Sequence, residues 1–177
     1  MSKLKLATVW LDGCSGCHMS FLDMDENLIA LAEKVDLVYS PLVDEKIFPE
    51  DVDIALVEGA VSSEEDLHKI LHIRGRTKTL VSLGDCAVTA NVPSMRNAFG
   101  VKAICDRAYR ENVTLDAGVP EQVIPKLLDR AIPVNEIVPV DVFVPGCPPS
   151  ADVIFYVLKE LIEGRMPELS ARTRFGA

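Results

Sequence analysis

Five cysteines carry most of the chemical potential of this chain: Cys14, Cys17, Cys86, Cys105 and Cys147. Two share the loop sequence Gly13-Cys14-Ser15-Gly16-Cys17, one sits in Gly84-Asp85-Cys86, and one opens Gly146-Cys147-Pro148-Pro149. An odd number, in a chain expected to be cytosolic and so to keep its thiols reduced, argues against a disulfide framework and toward metal or redox chemistry. Gly13, Gly16, Gly84 and Gly146 permit unusual dihedrals and close backbone approach. Backbone N–H groups in such loops can hydrogen-bond the sulfides of a cluster. Pro148 follows its cysteine, as in bacterial ferredoxin runs, and fixes the loop. Four thiolates from three loops can cage a cube of iron and sulfur. A zinc site also uses four cysteines, but zinc ribbons usually pair two close C-x-x-C units, whereas Cys86 and Cys147 stand singly. A dithiol on Cys14-Ser15-Gly16-Cys17 would suit a lowered thiol pKa and leaves Cys86 and Cys147 without a task. Cys105 reads as an ordinary buried cysteine.

The elements that must position these loops alternate between strand and helix. Strand signals cover Lys5 to Leu11, Val35 to Tyr39, Asp53 to Glu58, Thr79 to Leu83 and Asp141 to Val144. Helix signals lie between them. Ser20 with Asp23 reads as a capping box ahead of Phe21, Met24, Leu28, Leu31 and Val35. Ser62 with Glu65 reads as another, with Leu67, Ile70 and Leu71 on the buried side. Residues 86–100 read as part helix and part turn, and Glu121 to Arg130 as a short helix. Ser150 caps a last helix that Gly164 ends, with Val153, Ile154, Val157, Leu158, Leu161 and Ile162 on its apolar face.

This alternation predicts an α/β fold: a flavodoxin-like, doubly wound parallel sheet of strand order 2-1-3-4-5. Residues 1–164 form the domain, and residues 165–177 form an extended arm with Arg165, Arg172 and Arg174. In such sheets ligands bind beyond the carboxyl ends of the strands. Cys14 and Cys17 follow the first strand, Cys86 the fourth and Cys147 the fifth, so all four fall on that edge.

Composition narrows the field. The 177 residues suit one domain, and a net charge of −9 argues against a nucleic-acid partner or an anionic membrane surface. No apolar run reaches the roughly 18 residues a membrane span needs. The N-terminus shows no signal-peptide pattern, so a cytoplasmic location is expected.

The three cysteine loops resemble the small subunit of [NiFe] hydrogenases. That family carries C-[ST]-G-C, G-x-C and G-C-P-P, standing here as Cys14 to Cys17, Gly84 to Cys86 and Gly146 to Pro149. The resemblance runs from Leu6 to about Gly164. The stretches Trp10 to Phe21 and Gly84 to Pro93 are most similar to the soluble NAD(P)-reducing group. It implies that Cys14, Cys17, Cys86 and Cys147 ligate one [4Fe–4S] cluster. It also implies a large partner subunit holding nickel and iron. Further partners would form a flavin and iron–sulfur diaphorase carrying FMN and NAD(P). The chain would then be a non-catalytic electron-transfer subunit of a hydrogen:NAD(P)+ oxidoreductase. Uptake-type small subunits add cysteines for two more clusters, and no such cysteines occur here. Val88-Thr89-Ala90-Asn91 also replaces the paired glycines frequent after their middle cysteine. The cluster-bearing subunit of respiratory complex I is a related alternative. It has adjacent cysteines where this chain has C-x-x-C.

Four further features stand beside the cysteines. The resemblance places a glutamate close to the cluster, and Glu58 at the end of the third strand occupies that place. His18 adjoins Cys17 and could line the cluster or a partner. His68 and His72, four apart, could clip a metal but lack a third ligand and read as a solvated helix flank. A flavin in this chain has only fold analogy behind it, since no phosphate-cradling glycine motif occurs.

Overall fold

The computed structural model describes residues 3–173. Five parallel strands form the central sheet: β1 (Leu4–Trp10), β2 (Val35–Tyr39), β3 (Val52–Glu58), β5 (Thr77–Leu83) and β7 (Val142–Val144). Their order, β2-β1-β3-β5-β7, is the expected 2-1-3-4-5 when only the sheet strands are counted. A parallel sheet must be covered on both faces, which is why β3 is buried almost end to end. Successive side chains point to opposite faces, so Leu6 and Ala7 belong to different cores. Leu6, Ile54, Leu56 and Val81 meet Phe21, Met24, Leu31, Ile154 and Leu158 from α1 (Gly16–Leu22), α2 (Glu26–Ala32) and α6 (Ala151–Ile162). Ala7, Val9, Ala55, Val57 and Leu80 meet Ile70 and Ile73 of α3 (Glu64–Arg74) and Ala87 of α4 (Asp85–Thr89).

Several local readings of the sequence are corrected. The first helix begins at Gly16, because Ser15 takes a left-handed turn (φ 67°) that starts it early. Ser20 therefore lies inside α1, and its hydroxyl donates to the Pro149 carbonyl at 2.6 Å instead of capping. The chain breaks at Asp25 (φ 48°) before α2 resumes. The capping box of α3 is Ser63 with Asp66, one residue later than expected. That rotation buries Ile73 and leaves Leu71 half exposed.

The expected helix over Glu121 to Arg130 does not form. Pro125 interrupts it, lacking an N–H and restricting the residue before it. Strand β6 (Leu127–Ile132) pairs instead with the three-residue β4 (Val61–Ser63) as a small antiparallel ribbon. Arg96 and Asn97 from a 3-10 turn (Val92–Ala98) tie it down. Arg96 donates to the carbonyls of Ser62 and Leu128, and Asn97 exchanges two hydrogen bonds with Ala131.

The tail beyond Gly164 turns back on α6 in its described part. Leu169 packs against the core, and the Arg172 guanidinium lies 4.0 Å above the Tyr156 ring. Arg174 lies outside the described residues.

Asp53 fastens the start of the sheet. Its Oδ2 accepts the Lys5 N–H at 2.8 Å and its Oδ1 meets Lys78 Nζ at 2.7 Å, so one carboxylate links β1, β3 and β5. Burial works to raise its pKa, but the hydrogen bonds from Lys78 and Lys5 outweigh it and hold the carboxyl below the ordinary 3.8. A depressed carboxylate adds stability above its unfolded pKa and loses it as pH falls through the folded value. Asp53→Asn is expected to cost about 1 kcal/mol at pH 7. In urea titrations the variant should also lose less stability than the wild type between neutral pH and pH ~3. Identical acid limbs would remove Asp53 from this role.

Candidate metal centre

The carboxyl edge of the sheet is built by the turns after β1, β3, β5 and β7. The turn after β1 runs beside the end of β3. Leu11 N–H donates to Glu58 O at 2.8 Å, and Asp12 and Ala60 exchange bonds at 3.0 and 2.7 Å. Gly59 makes this approach workable. At φ +95°, a Cβ there would lie 2.8 Å from Leu11 C. In the sequence, the one signal for Gly59 is its place directly after a buried strand.

The glycines of the cysteine loops divide by function. Gly84 (φ +82°) and Gly146 (φ +141°) take the backbone expected of glycine. Gly13 and Gly16 do not, since Ser15 supplies the left-handed residue of that loop. They serve close approach instead. A Cβ on Gly16 would sit 3.2 Å from Cys14 Sγ, and one on Gly13 would sit 3.2 Å from Gly59 Cα. Gly84 leaves room for the Cys17 sulfur: a Cβ there would fall 2.2 Å from Cys17 Sγ. Pro148 follows Cys147 through a cis peptide bond.

Two loops are clamped together by Asp85, which in the sequence reads as a mere spacer. Asp85 N–H donates to Gly146 O at 2.8 Å, and Gly146 N–H donates to Asp85 Oδ1 at 2.7 Å. Each of these residues precedes a cysteine, so the ring of bonds sets Cys86 against Cys147. Asn91 Nδ2 reaches Cys147 Sγ at 3.7 Å, a contact no motif announced.

Cys14, Cys86 and Cys147 all lie within electrostatic reach of Cys17, and Cys14 and Cys147 within reach of Cys86. Burial, then Glu58, then the other three thiols push the Cys17 thiol well above its ordinary range. Cys86 is pushed up to about 11, chiefly by burial, with Cys147, Cys14 and Glu58 adding to it. Cys17 is buried, Cys86 partly so, and Cys14 and Cys147 are exposed. Cys105, in α5 (Val101–Asp106), takes no part in these interactions.

The chemistry of this donor set fits a group that brings positive charge to several thiolates at once. Metal ligation needs deprotonated sulfur, and here every electrostatic influence on Cys17 is acidic and opposes it. Among the described residues, no group of three or more His, Cys, Asp or Glu side chains is set to hold a single metal ion. His18 adds a second sign of an incomplete site. It is 4% exposed, and its Nε2 has no protein hydrogen-bond partner among the described residues. Its other side is satisfied by Glu58, itself 1% exposed.

The other sequence-marked residues lie elsewhere. His68 is exposed, and His72 pairs with Arg76 and packs edge-on to Phe48. Phe21 and Met24 are buried in the chain's own core.

Known proteins share the sequence and the fold of this chain. Residues 14–161 match the family described as NADH ubiquinone oxidoreductase, 20 Kd subunit. The chain is 46% identical over 168 residues to the NAD-reducing hydrogenase HoxS subunit delta of Cupriavidus necator, covering 92% of this chain and 80% of that one. It is 34% identical over 172 residues to a subunit of the F420-non-reducing hydrogenase of Methanothermobacter marburgensis. That match covers 94% of this chain but only 56% of the archaeal protein. Among solved structures, a chain of an NAD+-reducing [NiFe]-hydrogenase in the H2-reduced state superposes with a TM-score of 0.94 at 39% identity. The match covers 98% of this chain and 99% of that one. A [NiFeSe]-hydrogenase chain from Dm. baculatum, at 17% identity and a TM-score of 0.60, shares the fold.

Proposed function

The chain belongs to the NADH ubiquinone oxidoreductase 20 Kd subunit family, and on that premise we propose that it is the electron-transfer small subunit of an NAD(P)-reducing [NiFe] hydrogenase. The observation that carries this reading is the meeting of Cys14, Cys17, Cys86 and Cys147 on one sheet edge, with Gly84 shaped around the Cys17 sulfur. The strong likeness to a HoxS delta subunit supports it.

These four cysteines would hold one [4Fe–4S] cluster. When bound, that cluster supplies a one-electron store between the nickel–iron site of a large partner subunit and a diaphorase carrying FMN and NAD(P). The chain's own residues do the positioning. Asp85 sets the Cys86 and Cys147 loops against each other. Ser20 holds α1 to the loop of Pro149, and Gly13, Gly16 and Gly146 allow the backbone to close around the sulfurs. Trp10, Met19 and Leu22, exposed on β1 and α1, provide apolar surface beside the site for the large subunit. Residues 1–164 would form the cluster-binding domain, with 165–177 as its arm. A cytoplasmic location is part of this proposal; no described helix is long and apolar enough to cross a membrane.

The complex I subunit that gives the family its description is the second reading. The C-x-x-C spacing of Cys14 and Cys17 and the hydrogenase relatives favour the first. The test is anaerobic purification with iron, zinc and nickel analysis and low-temperature EPR after reduction. About four irons per chain, a reduced-cluster signal and a co-purifying nickel subunit are expected. One zinc per chain, or no metal with a reversible Cys14–Cys17 disulfide, would leave only the fold.

A further inference from the structure

Glu58 ends β3 opposite Trp10 on β1 and Leu83 on β5, at the floor of the cysteine site. Two hydrogen bonds reach its carboxyl from one residue. His18 N–H donates to Oε2 at 2.9 Å, and His18 Nδ1 faces the same oxygen at 2.5 Å, with one proton between them. Oε1 is directed toward the Cys14 loop, 3.6 Å from where a Cβ on Gly13 would stand. The same carboxyl acts electrostatically on both Cys17 and Cys86. Its orientation therefore reaches two of the four thiols.

An imidazole is a costly way to fill this space. Leaving a buried ring nitrogen without a partner costs about 1–3 kcal/mol, whereas apolar groups of similar shape in place of a bonded pair can be nearly neutral. His18 Nε2 is such a nitrogen among the described residues. We propose that His18 is a positioning residue: it fixes the Glu58 carboxyl with Oε2 bound and Oε1 turned to the Cys14 loop, and so sets the field Glu58 exerts on the bound cluster. This rests on the cluster reading above. Hydrogen bonds and charges around the sulfurs are among the determinants of cluster potential, so the potential is where the role shows.

The experiment is a potentiometric titration followed by EPR, on the anaerobically isolated complex with its partner subunits. The variants are His18→Leu, His18→Asn, His18→Gln, Glu58→Gln and His18→Leu with Glu58→Gln. His18→Leu is expected to shift the midpoint potential with iron content unchanged. His18→Asn, whose amide can stand where Nδ1 stands, should restore most of the wild-type value, and His18→Gln should not. In the Glu58→Gln background the His18→Leu shift should shrink by more than half. An equal shift in both backgrounds, or no shift in either, overturns the proposal. Should His18→Leu lose iron, the Asn and Gln variants carry the test, and equal potentials in those two overturn it. Failure of the cluster reading is separately visible, as wild-type complex whose chain contributes neither iron nor an EPR signal.

Discussion

Gly84→Ala is expected to leave the chain folded and, on the cluster reading, to empty it of iron. The added Cβ would fall 2.2 Å from Cys17 Sγ, whereas non-bonded heavy atoms pack at about 3.5–4.0 Å. Relief by backbone rotation is blocked. Gly84 N–H is bonded to Val144 O at 2.8 Å, and the next residue is the Asp85 clamp. The sulfur must move instead, and Cys17 lies in the first turn of a helix whose Ser20 is bonded across to Pro149. An alanine held at φ 82°, ψ 160° alone costs about 1–3 kcal/mol, against a typical domain stability of about 5–15 kcal/mol. The sheet should survive while the ligand geometry does not. Gly100→Ala is the control: it has a similar φ of +77° but nothing within 4 Å of the new Cβ. It should show a comparable loss in urea stability and retain its iron. Gly84→Ala with wild-type iron would show that the Cys17 sulfur does not depend on this gap.

That contrast marks how far the sequence carries. The central strands were legible because parallel strands buried on both faces read as continuous apolar runs, as Ile54 to Val57 does. The edge on which the four cysteines meet followed from chain order alone, since strands that run parallel bring every carboxyl end to one side. The ribbon of β4 and β6 was hidden because three residues from Val61 carry no period and Leu127 to Ile132 lies beside an apolar run that mimics a helix. In the structure Val123 and Ile124 of that run are exposed, so the apolar pattern there reflected no core. The helix starts shifted because they depend on single dihedrals, such as the left-handed Ser15. Long-range polar partners were out of reach altogether. Nothing in Glu58 or His18 reveals that residues forty apart share two hydrogen bonds.

Asp85→Ala should be nearly as damaging as loss of a ligand, by a different route. Asp85 is 4% exposed, and its Oδ1 is the acceptor for Gly146 N–H. Alanine leaves that N–H buried without its acceptor, at a cost of about 1–3 kcal/mol. The reciprocal bond from Asp85 N–H to Gly146 O needs only backbone, so the two loops stay adjacent but lose half their clamp. Cys147 follows Gly146 directly and is exposed, with the Asn91 amide reaching its sulfur only at 3.7 Å. Its sulfur is therefore the thiol free to drift once Gly146 is released. Iron should fall well below wild type, and the urea midpoint should drop by the equivalent of about 2 kcal/mol. Asp85→Asn keeps an oxygen at the accepting position and should hold most of its iron. If Asp85→Ala matched the wild type in iron and fell within about 0.5 kcal/mol in stability, the backbone alone would be holding the Cys147 loop. A graded series of alanine, asparagine and aspartate would instead show that one accepting oxygen, placed sixty-one residues from its donor, fixes the fourth thiolate of the site.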